Sequence, residues 1–534
     1  MSRRLLPLLL AAIACHSTSS APAPRAASPL TRAERSGYTE TSTYLDVIRF
    51  LDTLRIKGAP YRFSVMDVTT EKRALPYVIA SRPLVSTPAE ARASGKPIVY
   101  VQGNIHAGEV EGKEAVQALL RDLAFTSGPS ILDSIILIAV PIYNADGNER
   151  FAPQDKQRTE QNGPVMVGQR PNAQNLDLNR DYIKAEAPET RASLEMFNAW
   201  DPDVFVDLHT TDGSLHGYNL TYSPSLNPAS PLGDYSRIML AELRKRVLER
   251  HGFQTFDYGN FNDRGGLEVS TDSMHHGWYT YDHRPRFGTN YYGLRNRISV
   301  LSEAFSHDPF EVRVKSTYAF VRELLTLVAE RGADIKAMEA RTAAMRDGVA
   351  LRSALPKTAA SGPVRFEILE RTGDTLRTQP GMPKGVRRTG EIRTRDMPIF
   401  DRFEPTLVRP LPALYVFAHD SALIARLHMQ GIRTELATTV RGPLEEFVVD
   451  SLVRSARPFQ GHNETRLEGR WRAAPQASLE NAVAVRMDQP LARLAMYLLD
   501  PESDDGFVTW NVFDARIGVG RPYPVLRLPA PSVR

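Results

Sequence analysis

Three apolar runs of strand length, each stopping at a residue that can bind a metal or move a proton, constrain this chain most. Pro97-Ile-Val-Tyr-Val-Gln-Gly103 is followed within a few residues by His106. Val204 to Leu208 runs into His209, and Ile298-Ser-Val-Leu-Ser302 ends at Glu303. A fourth run, Ile135 to Ile142, leads into the turn Asn144-Ala-Asp-Gly147. Between the runs, Val116, Leu119, Leu120 and Leu123 repeat at i, i+3, i+4 and i+7, the spacing of one helix face. Tyr44 to Leu54, residues 234–250 and Glu311 to Arg331 also predict helices. Strands alternating with helices predict an α/β domain over residues 40–332, a mixed and mostly parallel sheet flanked by helices. Ligand sites of open α/β sheets lie beyond the carboxyl ends of the strands, where His106, His209 and Glu303 fall.

His106-Ala-Gly-Glu109 follows a strand and opens a helix. A histidine and a carboxylate three residues apart at such a turn can reach one cation. The same pattern also describes a capping histidine and a first-turn acid favoured by the helix dipole. His209 at a second strand end offers a third ligand, and catalytic zinc commonly takes three protein ligands while keeping a position open. Glu303 ends a strand where partial burial can tune a general base. Asn175-Leu-Asp-Leu-Asn-Arg-Asp181 is a polar cluster whose arginine can grip a carboxylate with two parallel hydrogen bonds. Residues 150–175 read as a loop over a site.

Taken in order, His106-Ala-Gly-Glu109, Asn144-Ala-Asp-Gly147, Asn179-Arg180, His209 and Glu303 resemble the zinc carboxypeptidase family, the metallocarboxypeptidases of the carboxypeptidase A type, in a bacterial exported branch. The likeness covers about residues 40–332. It implies one Zn2+ per chain on His106, Glu109 and His209, with Asp177 orienting His106. It implies Asn179 and Arg180 as holders of a peptide's terminal carboxylate, and Glu303 as general base. It also implies an arginine that polarises the scissile carbonyl, for which Arg158 is the candidate and Arg150 the second. A tyrosine that closes over the substrate is implied too; Tyr292 is the candidate, with Tyr281 and Tyr291 as rivals. Ala145 replaces the family's usual proline, and Thr210-Thr-Asp-Gly213 departs from the digestive enzymes, so the side-chain pocket does not carry over. The expected activity is removal of C-terminal residues from peptides. The alternatives are deacylation of acylated amino acids or cell-wall peptides, and a non-enzymatic binding protein on the same fold.

The ends of the chain carry separate signals. Arg3 and Arg4, the apolar run Leu5 to Ala14 and the small-residue site Ala12-Ile-Ala14 predict a signal peptide over residues 1–14. Cys15, the single cysteine, excludes disulfides within the chain and resembles the anchor position of a bacterial lipoprotein. The expected location is therefore periplasmic or cell-surface. Residues 15–39 read as a flexible tether, 333–405 as linker and exposed loops, and 406–534 as a smaller C-terminal α+β domain of unassigned role. A net charge of +4 without a basic stripe excludes nucleic acid as a partner.

Overall fold

A computed structural model describes residues 28–261, 276–373, 382, 384–474 and 479–530. The expected signal peptide and Cys15 lie outside the described residues. The central sheet has eight strands, numbered here in chain order. They are β1 (Tyr61–Val68), β2 (Ala74–Ala80), β3 (Ile98–Gly103), β4 (Ile136–Val140), β5 (Val204–Thr210), β6 (Leu220–Pro224), β7 (Thr255–Asp257) and β8 (Ile298–Ala304). Their spatial order is β1-β2-β4-β3-β5-β8-β6-β7. The four middle strands β4, β3, β5 and β8 are mutually parallel. β1, β2 and β6 add antiparallel pairings, so the sheet is mixed as expected.

Every residue of β3, β4 and β5 is buried, which requires cover on both faces of the sheet. One face packs Val99, Val101, Val206 and Val300 against α1 (Tyr44–Ile56), α2 (Glu111–Ala124), α4 (Gly233–His251) and α6 (Phe310–Ala343). The other packs Tyr100, Ile138 and Phe205 against α3 (Pro188–Trp200) and α5 (Gly288–Leu294). Each fully buried Val, Ile or Leu of these rows contributes about 1.5–3 kcal/mol. α2 lies unusually close to the strands: a Cβ on Gly112 would sit 2.7 Å from the Leu208 Cβ. That approach sets Glu109, just ahead of α2, beside the end of β5.

The C-terminal unit is a six-stranded sheet of Leu414–Ala418, Glu435–Leu436, Glu445–Arg454, Thr465–Ala473, Ala482–Arg486 and Val525–Leu528, with helices Ser421–Met429 and Ala492–Leu499. Tyr415, Phe417 and Val483 belong to the same buried cluster as Tyr100 and Phe205, so this unit shares a core with the main sheet.

Two expectations are corrected. Residues 333–405 are not a linker with exposed loops. α6 runs to Ala343, and Ser361–Arg371 pairs with Val386–Phe400 in a long antiparallel hairpin. Val364, Phe366 and Met397 bury with Trp278, Tyr218 and Phe256, Glu367 is buried in a pair with Arg388, and residues 389–394 are exposed. Only Val386 and Met397 of the second strand are buried, so its sequence shows no period of two. The tether is also shorter than expected. Thr31 caps a helical turn at Arg32–Arg35, and Glu34 pairs with Arg121 at 2.6 Å. Among the described residues no helix is long and apolar enough to cross a membrane.

Candidate active site

The sheet's carboxyl edge assembles the site. Asn104 follows β3 with φ of +68°, a left-handed conformation that asparagine tolerates. It turns the chain so that His106 and Glu109 face β5. The Glu109 amide then closes on the His106 carbonyl at 2.9 Å. Gly108 is needed there, since a Cβ would meet the Gly168 carbonyl oxygen at 2.9 Å and the Arg158 Cγ at 3.0 Å. On β5, His209 stands in register with Glu303 of the neighbouring parallel strand β8.

His106, Glu109 and His209 converge, with ligand atoms all within 4.8 Å of one another. The two Nδ1 atoms are 3.2 Å apart. Each lies 2.9 Å from a different oxygen of the Glu109 carboxylate. Both Nε2 atoms face carboxylates: His106 has Asp177 Oδ1 at 2.9 Å, and His209 has Asp207 Oδ2 at 3.0 Å. A carboxylate at Nε2 fixes the proton there and leaves the Nδ1 lone pair for a cation. Two inward lone pairs and a buried carboxylate, all nearly sealed from solvent, make a donor set that fits zinc.

The charges around this set are balanced by burial and pairing. Burial alone would raise the Glu109 carboxyl, but His106 and Arg158 outweigh it and hold it well below the usual range. Burial would likewise lower His209, yet Asp207 and Glu109 raise it well above its ordinary value. Glu303 differs. Burial pushes its carboxyl up, with His209 opposing, and its Oε2 is buried without a hydrogen-bond partner among the described residues. A carboxylate held in this way has a motive to take a proton.

A cavity of about 250 Å³ opens over the three ligands, and Arg158, Arg170, Asn179, Arg180, Asp212 and Glu303 line it. Tyr258, Tyr279, Tyr281, Asp282 and Phe287 form much of the remaining wall. The Arg180 guanidinium lies 3.9 Å from the centre of the Phe287 ring, and its Nη1 donates to the Asn179 carbonyl at 2.9 Å. Asn179 Oδ1 accepts from the Gly288 amide at 2.9 Å.

The structure thus gathers His106, Glu109, His209, Asp177, Asn179, Arg180, Arg158 and Glu303. Tyr292 is not among them. It is fully buried, 4.0 Å from the Phe197 ring and 4.2 Å from Phe205, on the side of α5 that faces the sheet. Tyr281, a rival for that role, lines the cavity. Arg150 pairs with Glu71 outside it. Arg158 reaches the cavity but is committed: Nη1 donates to Glu109 Oε1 at 2.9 Å, and Nη2 to the carbonyls of Thr210 and Thr211.

Two residues of the site escaped sequence reading. Asp207 is two residues before His209 on one strand, and that same-face spacing was the available signal. Arg170 joins Glu109 Oε1 at 3.2 Å to Asp177 Oδ2 at 3.0 Å, and nothing in its irregular loop distinguishes it by pattern. His216 and His307 flank Phe305, at 4.4 and 5.2 Å between ring centres, and do not line the cavity.

Residues 48–293 match the family profile described as Zinc carboxypeptidase. Carboxypeptidase 2 of Trichophyton rubrum is 23% identical over 495 residues, covering 86% of this chain and 81% of that protein. Carboxypeptidase 2 of Trichophyton equinum is 24% identical over 490 residues, covering 86% and 81%. Among solved structures, a metallo-carboxypeptidase from Burkholderia cenocepacia aligns with a TM-score of 0.41 at 16% identity, covering 54% of this chain and 70% of that one.

Proposed function

Because residues 48–293 belong to the zinc carboxypeptidase family, we propose that this chain removes C-terminal residues from peptides by zinc-dependent hydrolysis. The observation that carries the reading is one cavity lined by the His106–Glu109–His209 set, the buried base Glu303 and the Asn179–Arg180 pair. Zinc held by the three ligands supplies Lewis acidity toward a carbonyl and toward water.

The chain's own groups do the rest. Arg180, steadied over Phe287, and Asn179 bind the substrate's terminal carboxylate and set the last peptide bond over the ligands. Glu303 takes a proton from the attacking water on its carboxylate and returns it to the leaving amine. Arg158 keeps Glu109 ionised from behind. Arg170 takes over the carbonyl-polarising role first assigned to Arg158. Its side chain keeps 39% exposure, and its Nε and Nη1 are held by Asp177 and Glu109. Tyr281 is the tyrosine that contacts substrate. The Arg3–Cys15 segment supports an exported enzyme with Cys15 as a lipid attachment point, and Cys15→Ser should then release the protein from the membrane fraction.

The deciding assay pairs peptides that have free and amidated C-termini, for the wild type and Glu303→Gln. Cleavage of free-ended peptides only, lost in the variant, is the expected result. Equal cleavage of amidated peptides overturns the role of Arg180. Acyl release from acylated amino acids without peptide cleavage overturns the peptidase reading.

A further inference from the structure

The C-terminal sheet lies outside residues 48–293, yet one of its turns reaches the site. Phe459-Gln460-Gly461-His462 closes on itself: the Phe459 amide donates to the His462 carbonyl at 2.7 Å, and the His462 amide to the Phe459 carbonyl at 3.0 Å. Gln460 and Gly461 have φ of +49° and +81°, successive left-handed residues at the tip of a tight turn. Glycine adopts that conformation freely and glutamine does not. Strained positions of this kind persist where the surroundings impose them, often beside functional sites.

Here the surroundings are the metal-supporting loop. Gln460 Oε1 accepts the backbone N–H of Asp177 at 2.9 Å. The Asp177 side chain in turn meets His106 Nε2 at 2.9 Å through Oδ1, and Arg170 Nε donates to Oδ2 at 3.0 Å. Neighbouring contacts keep the turn against this loop. His462 Nε2 lies 3.0 Å from Glu186 Oε1, and the Lys184 ammonium lies 4.4 Å from the centre of the Trp510 ring. Beside Phe287, the ring that carries Arg180, Asp505 receives the Arg286 backbone amide at 2.7 Å and its Nη2 at 2.7 Å.

We propose that the C-terminal unit is a working part of the active centre, with Gln460 as a positioning residue that holds Asp177 and, through it, the zinc ligand His106. The proposal rests on the zinc-hydrolase reading above. Gln460 touches neither substrate nor metal, so its effect should follow the metal site rather than substrate affinity.

The test uses the full chain and measures zinc affinity by chelator competition, together with kcat and KM on a free-ended peptide and the thermal midpoint. Gln460→Ala should weaken zinc binding by about threefold to tenfold, less than the roughly 10–100-fold typical when a direct partner of a ligand is removed. It should lower kcat by a similar factor, with any rise in KM smaller than that of Asp177→Asn, and leave the thermal midpoint near wild type. Gln460→Glu keeps an acceptor for the Asp177 amide and should restore zinc affinity, which also distinguishes positioning from a general loss of folding. Wild-type zinc affinity in Gln460→Ala, or failure of Gln460→Glu to restore it, overturns the proposal. If Asp177→Asn loses zinc affinity while Gln460→Ala does not, only the role of Gln460 falls. If the wild type binds no zinc, the reading beneath it falls as well.

Discussion

His106 and His209 receive the same chemical support from opposite kinds of structure. The carboxylate behind His209 is Asp207, two residues earlier on the same central strand, where Gln102 Nε2 donates to its Oδ1 at 3.0 Å. The carboxylate behind His106 is Asp177, on an irregular loop, steadied by Arg170 and by the Gln460 of a distant unit. A strand sets its own geometry through the pleat. A loop must borrow rigidity from whatever packs on it. One arm of the site is thus rigid by local structure and the other by long-range contacts, and the two should fail differently.

The largest expected effect falls on the strand side. Glu303 is the sheet neighbour of His209 and is assigned the proton transfer. Glu303→Gln should reduce kcat by about 10²–10⁴-fold while zinc content stays at one per chain. Loss of zinc together with activity would mean that Glu303 serves the metal and not the water, and the separation of ligands from base would collapse.

Next come the two carboxylates themselves. Asp177→Asn and Asp207→Asn should each weaken zinc binding by about 10–100-fold. Asp177 also accepts the Asn179 amide at 3.0 Å and lies 3.9 Å from the Arg180 guanidinium. Its substitution should therefore raise KM for free-ended peptides as well, whereas Asp207→Asn should leave KM near wild type. An unchanged KM in Asp177→Asn would show that the loop arm carries no substrate-binding duty.

The same contrast explains what could be read from the chain alone. His106, Glu109, His209 and Glu303 were legible because each sits at the end of an apolar run, and in an α/β sheet strand ends are where function collects. The mixed sheet followed from the same runs. Asp207 carries a signal of period two, since it precedes His209 by two residues on one strand. Arg170 carried none, since a loop's path is set by tertiary contacts and leaves no repeat in the sequence. The strands Ser361–Arg371 and Val386–Phe400 read as linker because the second buries only Val386 and Met397 and so carries no apolar period. The C-terminal unit's reach into the site through Gln460 spans 283 residues of chain, a pairing that no local pattern encodes.

A smaller effect probes the strand arm from behind. Gly112 of α2 packs directly on Leu208, the residue before His209. Gly112→Ala places a methyl where backbone and side chain leave 2.7 Å, and overpacking of this kind costs about 1–3 kcal/mol. Denaturant unfolding should register that loss, with a modest fall in zinc affinity as β5 shifts. Unchanged stability would show that the helix can move away and that the strand arm is less rigid than its burial implies.

The smallest effect is expected at Tyr292. Its ring is packed between Phe197 and Phe205, and its hydroxyl is buried without a hydrogen-bond partner among the described residues. Removing an unpaired buried hydroxyl deletes a group that was already paying desolvation without a compensating bond, so Tyr292→Phe should be neutral or slightly stabilising. Its kcat/KM on free-ended peptides should stay within about twofold of wild type, since each 1.4 kcal/mol of altered transition-state binding would be a tenfold change. Tyr281 itself lines the cavity, and Tyr281→Phe should lower kcat/KM more. If Tyr292→Phe is the more damaging of the two, the core packing around α5 opens when substrate binds, and the division between a fixed strand arm and an adjustable loop arm would have to be redrawn to include that helix.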